Sequence, residues 1–216
     1  MSFVLSHEEI RVLGALIEKD MATPEYYPMS GNALMNACNQ KTNRDPLTSY
    51  PEHVINDALD TLRARNLISV LTGGGNRVPK YGHRASEIFN LNNRETAVLC
   101  VLMLRGAQTL NEIKTRTESL YRFDDLDSVE LVLNRLAERG MTQLLPKLAG
   151  TREPRWTHLL TGEPILPSAT ADTPVTTASS GAPSAAGAGL ADRVARLESE
   201  VESLKAQFAE FQKQFQ

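Results

Sequence analysis

Apolar positions along the chain form two rounds of one pattern and then a different one. In the first round, Ile10, Leu13, Leu16 and Ile17 recur at three- and four-residue steps. They follow Ser6-His7-Glu8-Glu9, a capping box, and predict a first helix. A second helix is expected from Ser30, with Leu34, Met35, Ala37 and Cys38 as its stripe. A third is expected near residues 49–52, where Pro51 suits a first helical position, with Val54, Ile55, Ala58, Leu59 and Leu62 inward. Residues 67–71 then switch to a strand pattern, 73–76 are glycine-rich and read as a turn, and 77–81 read as the returning strand.

The second round opens at Asn92 or Asn93. It predicts a helix over 94–105, a helix capped by Thr109-Leu110-Asn111-Glu112, and a helix over 128–139 with Val129, Val132, Leu133 and Leu136 inward. Strands over 141–148 and 155–160 close it as a hairpin. The rounds overlay. Val12-Leu13 and Leu16 match Val98-Leu99 and Leu102, and Thr23 matches Thr109. Leu59, Leu62 and Arg65 match Leu133, Leu136 and Arg139, while Pro79-Lys80-Tyr81 matches Pro154-Arg155-Trp156.

Three helices followed by a two-stranded hairpin form the winged-helix variant of helix-turn-helix. The expected fold is therefore mainly α with small β-hairpins (α+β), as tandem winged-helix domains over residues 1–88 and 89–162. Between residues 163 and 189 the chain is almost entirely Pro, Ser, Thr, Ala and Gly, which predicts a flexible linker. Over 190–216 apolar residues alternate steps of four and three, the heptad repeat of a coiled coil. Val194, Val201, Phe208 and Phe215 fall at a; Leu190, Leu197, Leu204 and Phe211 fall at d. Val at a with Leu at d favours a parallel dimer, and Arg193 facing Glu198 and Glu200 facing Lys205 favour the same orientation.

Four segments carry a family resemblance. They are Thr23-Pro24-Glu25-Tyr26-Tyr27-Pro28-Met29-Ser30, Ala37-Cys38-Asn39-Gln40-Lys41-Thr42-Asn43-Arg44-Asp45-Pro46, Gly75-Asn76-Arg77-Val78-Pro79-Lys80-Tyr81 and Leu104-Arg105-Gly106-Ala107-Gln108-Thr109. In these the chain resembles the YceH family of bacterial proteins over residues 4 to 160. The resemblance implies a tandem pair of winged helices and no particular chemistry. Leu110-Asn111 departs from the family's usual Pro-Gly there, which leaves the capping box intact.

The whole chain has 216 residues and a net charge of −3. Residues 1–162 hold 19 Lys/Arg and 19 Asp/Glu, so the acidity belongs to the tail and does not oppose a nucleic-acid site on the head. Two cysteines, Cys38 and Cys100, exclude a disulfide framework and a four-thiolate zinc site, and the expected compartment is the cytoplasm. No apolar run is long enough for a bilayer, so no membrane partner is expected. His7, His53, His83 and His158 are scattered without metal-ligand spacing, and Gly73-Gly74-Gly75 lacks the Gly-Lys-Ser/Thr of a phosphate loop. Cys38, on an apolar helix face, reads as a core residue rather than a nucleophile. The expectation is a non-enzymatic protein with no cofactor and no metal.

Nucleic-acid binding is the natural use of a winged helix. Between residues 41 and 84 there are seven basic and four acidic residues. Lys41, Arg44, Arg77, Lys80 and Arg84 are the expected phosphate contacts, and Asn56, on the third helix, is the candidate base contact. Asp57 and Asp60 on the same helix oppose this by repelling phosphates. In the second round Asp124, Asp125, Asp127 and Glu130 crowd the third helix, and Leu131 is apolar on its outer side. That half reads as a protein-contact surface. The first helix there, apolar nearly all round, is expected to pack against the first round or another subunit, or to lie inside one compact unit. The expectation is a regulatory or architectural DNA-binding module that self-associates through its tail. The alternative is a protein-interaction scaffold that keeps the shape without binding DNA.

Overall fold

The computed structural model describes residues 4–73, 76–147 and 153–162, and helices take up about half of them. The expected linker at 163–189, the coiled coil at 190–216 with its seam residues, and the middle of the first hairpin turn lie outside the described residues.

Helix α1 (His7–Ala22) starts where the capping box places it. The Ser6 hydroxyl accepts from Glu9 N–H at 3.2 Å, and the Glu9 carboxylate accepts from Ser6 N–H at 2.7 Å. Strand β1 (Met29–Ser30) leads into α2 (Gly31–Cys38), whose first turn is capped by the Ser30 hydroxyl. Helix α3 (Glu52–Ala64) follows a polar segment, with Pro51 at its cap rather than inside its first turn. It ends at Arg65, and Asn66 reverses the chain at φ 58° into β2 (Ile68–Gly73) and β3 (Asn76–His83). The sheet is antiparallel with order β1-β3-β2; Tyr81 pairs with Met29 on one side and Val70 on the other. Short α4 (Ala85–Ile88) closes the half.

The second half repeats the order. Helix α5 (Asn93–Arg105) is boxed by Asn92 and Glu95, and α6 (Leu110–Thr117) by Thr109 and Glu112. Helix α7 (Leu126–Glu138) is capped by Asp125. Strands β4 (Thr142–Leu144) and β5 (Trp156–His158) pair antiparallel, and Gln108 bridges to Trp156 where the first half has β1. Thr23 and Thr109, matched by sequence, differ in role. Thr109 caps a helix start, whereas Thr23 ends α1 and donates its hydroxyl to Lys19 O at 3.3 Å. Ser30 takes the capping role in the first half, because a 3-10 turn (Pro24–Tyr26) and β1 are inserted there.

The core explains the all-round apolar α5. One face, Leu99, Cys100, Met103 and Leu104, joins a cluster built by α1, α2 and α3. Its other face, Val98 and Leu102, joins Ile113, Phe123, Val129, Val132, Leu133, Leu136 and Trp156. Helix α5 is thus interior to this chain. Contact with α1 is close at Gly14, where an added Cβ would lie 3.0 Å from Leu104 Cδ2. Backbone bonds from Leu5 N–H to Leu160 O (2.8 Å) and from Asp45 N–H to Leu104 O (2.9 Å) also join the halves.

Candidate nucleic-acid interface

Helix α3 and the β2–β3 hairpin carry three of the six residues expected to meet nucleic acid, Asn56, Arg77 and Lys80. Ile55, Ala58, Leu59 and Leu62 face the core, so His53, Asn56, Asp57, Asp60 and Arg63 are turned to solvent. The hairpin is held on α1 through its last residue. The His83 N–H donates to the Tyr27 hydroxyl, and His83 Nε2 lies 3.1 Å from Asp20 Oδ2. Burial pushes the His83 imidazole below its ordinary range despite Asp20, and pushes the Tyr27 phenol up. Gly82 leaves room for this anchor: a Cβ there would stand 3.1 Å from both the Ser69 and Tyr27 oxygens.

The six expected contacts separate by environment. Lys41 and Arg77 are exposed and Lys80 is half-buried, with no ion pair to any of them among the described residues. On β3, Lys80 lies opposite Leu71 on one side and Ser30 on the other. Asn56 is exposed between acidic neighbours on α3. Arg84 is spent on Glu87, with bonds of 3.0 and 2.7 Å to its two oxygens. Arg44 is not on the surface. It is 6 % exposed and forms a two-pronged pair with Glu18 at 3.0 and 2.6 Å. It also donates to Ala37 O and Gln40 Oε1, so it fastens the polar segment to α1 and α2 instead of facing solvent. Arg65 is likewise engaged, donating to Val4 O at 2.7 Å with Glu9 3.7 Å away. Arg63, in the last turn of α3, is an exposed cation that is not among the expected contacts. Its signal was its spacing of seven from Asn56, which puts it on the same helix face.

Charge in this half is therefore divided. The outer face of α3 carries Glu52, Asp57 and Asp60 against Arg63, while the hairpin carries Arg77 and Lys80. In the second half the outer face of α7 carries Asp127, Glu130 and Glu138 with Arg135. Leu131 there is 53 % exposed, and Leu144 on the hairpin is also exposed.

Cys38 and Cys100 are free and buried, and desolvation pushes the Cys38 thiol up to about 12, far from a reactive thiolate. Among the described residues no three His, Cys, Asp or Glu side chains gather as metal ligands, and no helix is long and apolar enough to cross a membrane.

Comparison with known proteins places this architecture in a bacterial family. Residues 5–151 match the family described as "Protein of unknown function, DUF480". A UPF0502 protein of Solibacter usitatus is 48 % identical over 218 residues, covering all of both chains. UPF0502 proteins of Citrifermentans bemidjiense and of an Azoarcus species are 46 % and 44 % identical; these cover 93 % and 99 % of this chain and 90 % and 95 % of their own.

Proposed function

The chain belongs to the DUF480 family, and we propose that this member is a non-enzymatic, cytoplasmic tandem winged-helix protein that binds duplex DNA through its first half. The observation that carries this reading is the β2–β3 hairpin, which presents Arg77 and Lys80 without carboxylate partners among the described residues, beside an exposed helix. The helix–strand–helix–helix–hairpin order of the first half is the order of a winged helix, and the second half repeats it with the Gln108 bridge in place of the first strand. Free, buried cysteines accord with a reducing compartment.

The division of charge decides how such a protein would sit. Asp57 and Asp60 keep α3 from lying deep in a groove, so the hairpin and Lys41 supply the phosphate contacts and Asn56 is the one amide near base edges. Binding of this kind is dominated by counterion release. Affinity for a duplex should fall steeply with salt, and Arg77→Ala with Lys80→Ala should lower the slope of log K against log salt by about two. Fluorescence anisotropy with a labelled duplex at several salt concentrations checks this. An unchanged slope, or no binding at low salt, overturns it.

A second reading draws on α7. Its acidic, partly apolar outer face suits a protein partner better than a phosphate backbone, as in a scaffold that keeps the winged-helix shape without DNA. Absence of DNA binding at low salt would favour it. Either way, the heptads at 190–216 are proposed to join two heads as a parallel dimer.

A further inference from the structure

A cavity of about 400 Å³ lies where the two halves meet. It is walled by α1, by the segment between α2 and α3, by the end of α5 and by β5. That volume suits a small metabolite.

Two arginines of the described residues are almost fully buried, and they are treated differently. Arg44 has Glu18. Arg11, 3 % exposed and on the cavity wall, has no carboxylate within 4.0 Å among the described residues. Its bonds go to neutral oxygens: Cys38 O at 3.2 Å, Thr48 Oγ1 at 3.3 Å and Pro46 O at 2.7 Å. The C-terminal end of α2, where Cys38 sits, offsets part of the charge. Two of the five N–H groups, that on Nε included, have no partner among the described residues. A buried cation without a counter-charge is costly, and an incoming carboxylate would relieve it.

The opposite charge stands on the same cavity. Asp45 is exposed and forms no ion pair among the described residues, so the two charges do not satisfy each other. His158 of β5 also lines the cavity, but its Nδ1 is buried away from it, with no hydrogen-bond partner among the described residues. Ile10 and Met103, both buried, supply apolar wall. A cation, an anion and an apolar surface around one small space describe a ligand with both charges and an apolar body.

We propose that this cavity binds a free α-amino acid with an apolar side chain: its carboxylate on Arg11, its ammonium on Asp45, its side chain against Ile10 and Met103. The proposal does not depend on DNA binding, and its test uses no DNA.

Calorimetric titration of the full chain with L-leucine, L-methionine and L-phenylalanine is the test. At least one should bind saturably, one per chain, with a Kd of about 1 mM or tighter. 3-Phenylpropionate, which lacks the ammonium, and phenethylamine, which lacks the carboxylate, should each bind about tenfold or more weaker than phenylalanine. Asp45→Asn, at an exposed position, should weaken the amino acid by about tenfold and leave 3-phenylpropionate unchanged. Thr157→Trp, which fills the cavity from its half-buried wall, should abolish binding while thermal melting reports an intact fold. No saturable heat with any of the three amino acids overturns the proposal. So does 3-phenylpropionate binding as well as phenylalanine, or binding indifferent to both variants.

Discussion

Lys41 and Arg44 show how far a single residue can be read from sequence. Both are basic, three positions apart in one polar segment, and nothing local separates them. Tertiary packing does. Arg44 meets Glu18 from α1 across 26 positions, and Lys41 stays in solvent. Removing one partner of a buried pair strands the other, at a cost of about 3 kcal/mol or more, whereas an exposed lysine costs less than about 0.5 kcal/mol. Urea unfolding should therefore show Arg44→Ala strongly destabilised and Lys41→Ala near wild type. The duplex affinity of Lys41→Ala should nonetheless fall. Equal stability of the two variants would return Arg44 to the surface.

His158 carries a pH dependence of its own. Burial, assisted by nearby His7, holds its imidazole down at about 4 against 6.5 in the unfolded chain. Between those values the unfolded chain binds the proton and the folded one does not. Stability is thus undiminished above about pH 6.5 and falls as the pH drops towards 4, by up to about 3 kcal/mol for the full shift. Urea midpoints at pH 7.5 and 4.5 should differ less for His158→Asn than for wild type, since titration of the carboxylates is common to both. The same pH loss in both chains would exclude His158 as its source.

Elements are more legible than residues wherever a local device sets them. The three capping boxes at Ser6, Asn92 and Thr109 begin helices within the sequence that encodes them. The stripes of α3 and α7 likewise point their apolar residues inward as their spacing requires. Strand β1 has two residues, too few for any periodicity, and exists because Tyr81 and Lys80 offer it a partner. The same insertion misaligned Thr23 with Thr109. Their roles can be told apart by substitution. Thr109→Ala removes the oxygen that accepts from Glu112 N–H and should cost about 1 kcal/mol. Thr23→Ala loses only a bond back to Lys19 O and should cost a few tenths, about 0.3 kcal/mol. Thermal or urea unfolding of the two variants distinguishes them, and equal losses would contradict the assigned caps.

At the scale of the whole molecule, sequence shows two rounds of one pattern but not how they share a core. Periodicity marks α5 as apolar on every side, and contacts across some 90 positions are needed to say what covers each side. One side belongs with α1: Cys100 Sγ lies 3.4 Å from Gly14 O, and Leu104 rests on Gly14. The other belongs with α6 and α7. The proposed self-association is separable from the head, because the heptads lie beyond residue 189. Light scattering should give twice the monomer mass for the full chain and the monomer mass for a chain ending at Gly162; monomer mass for both would exclude the heptads as a dimer seam. The shared core bears on cooperativity. A chain ending at residue 88 would expose the faces of α1 that Leu99, Met103 and Leu104 cover, and each such leucine contributes about 2–3 kcal/mol when fully buried. That loss is a large part of the 5–15 kcal/mol by which domains of this size are commonly stable. Residues 1–162 should therefore unfold in one transition, with near- and far-ultraviolet dichroism coincident in urea, and residues 1–88 alone should lack a cooperative transition. Two separated transitions, or a stably folded 1–88 fragment, would show that the repeated pattern folds as two independent domains and that α5 joins cores formed without it.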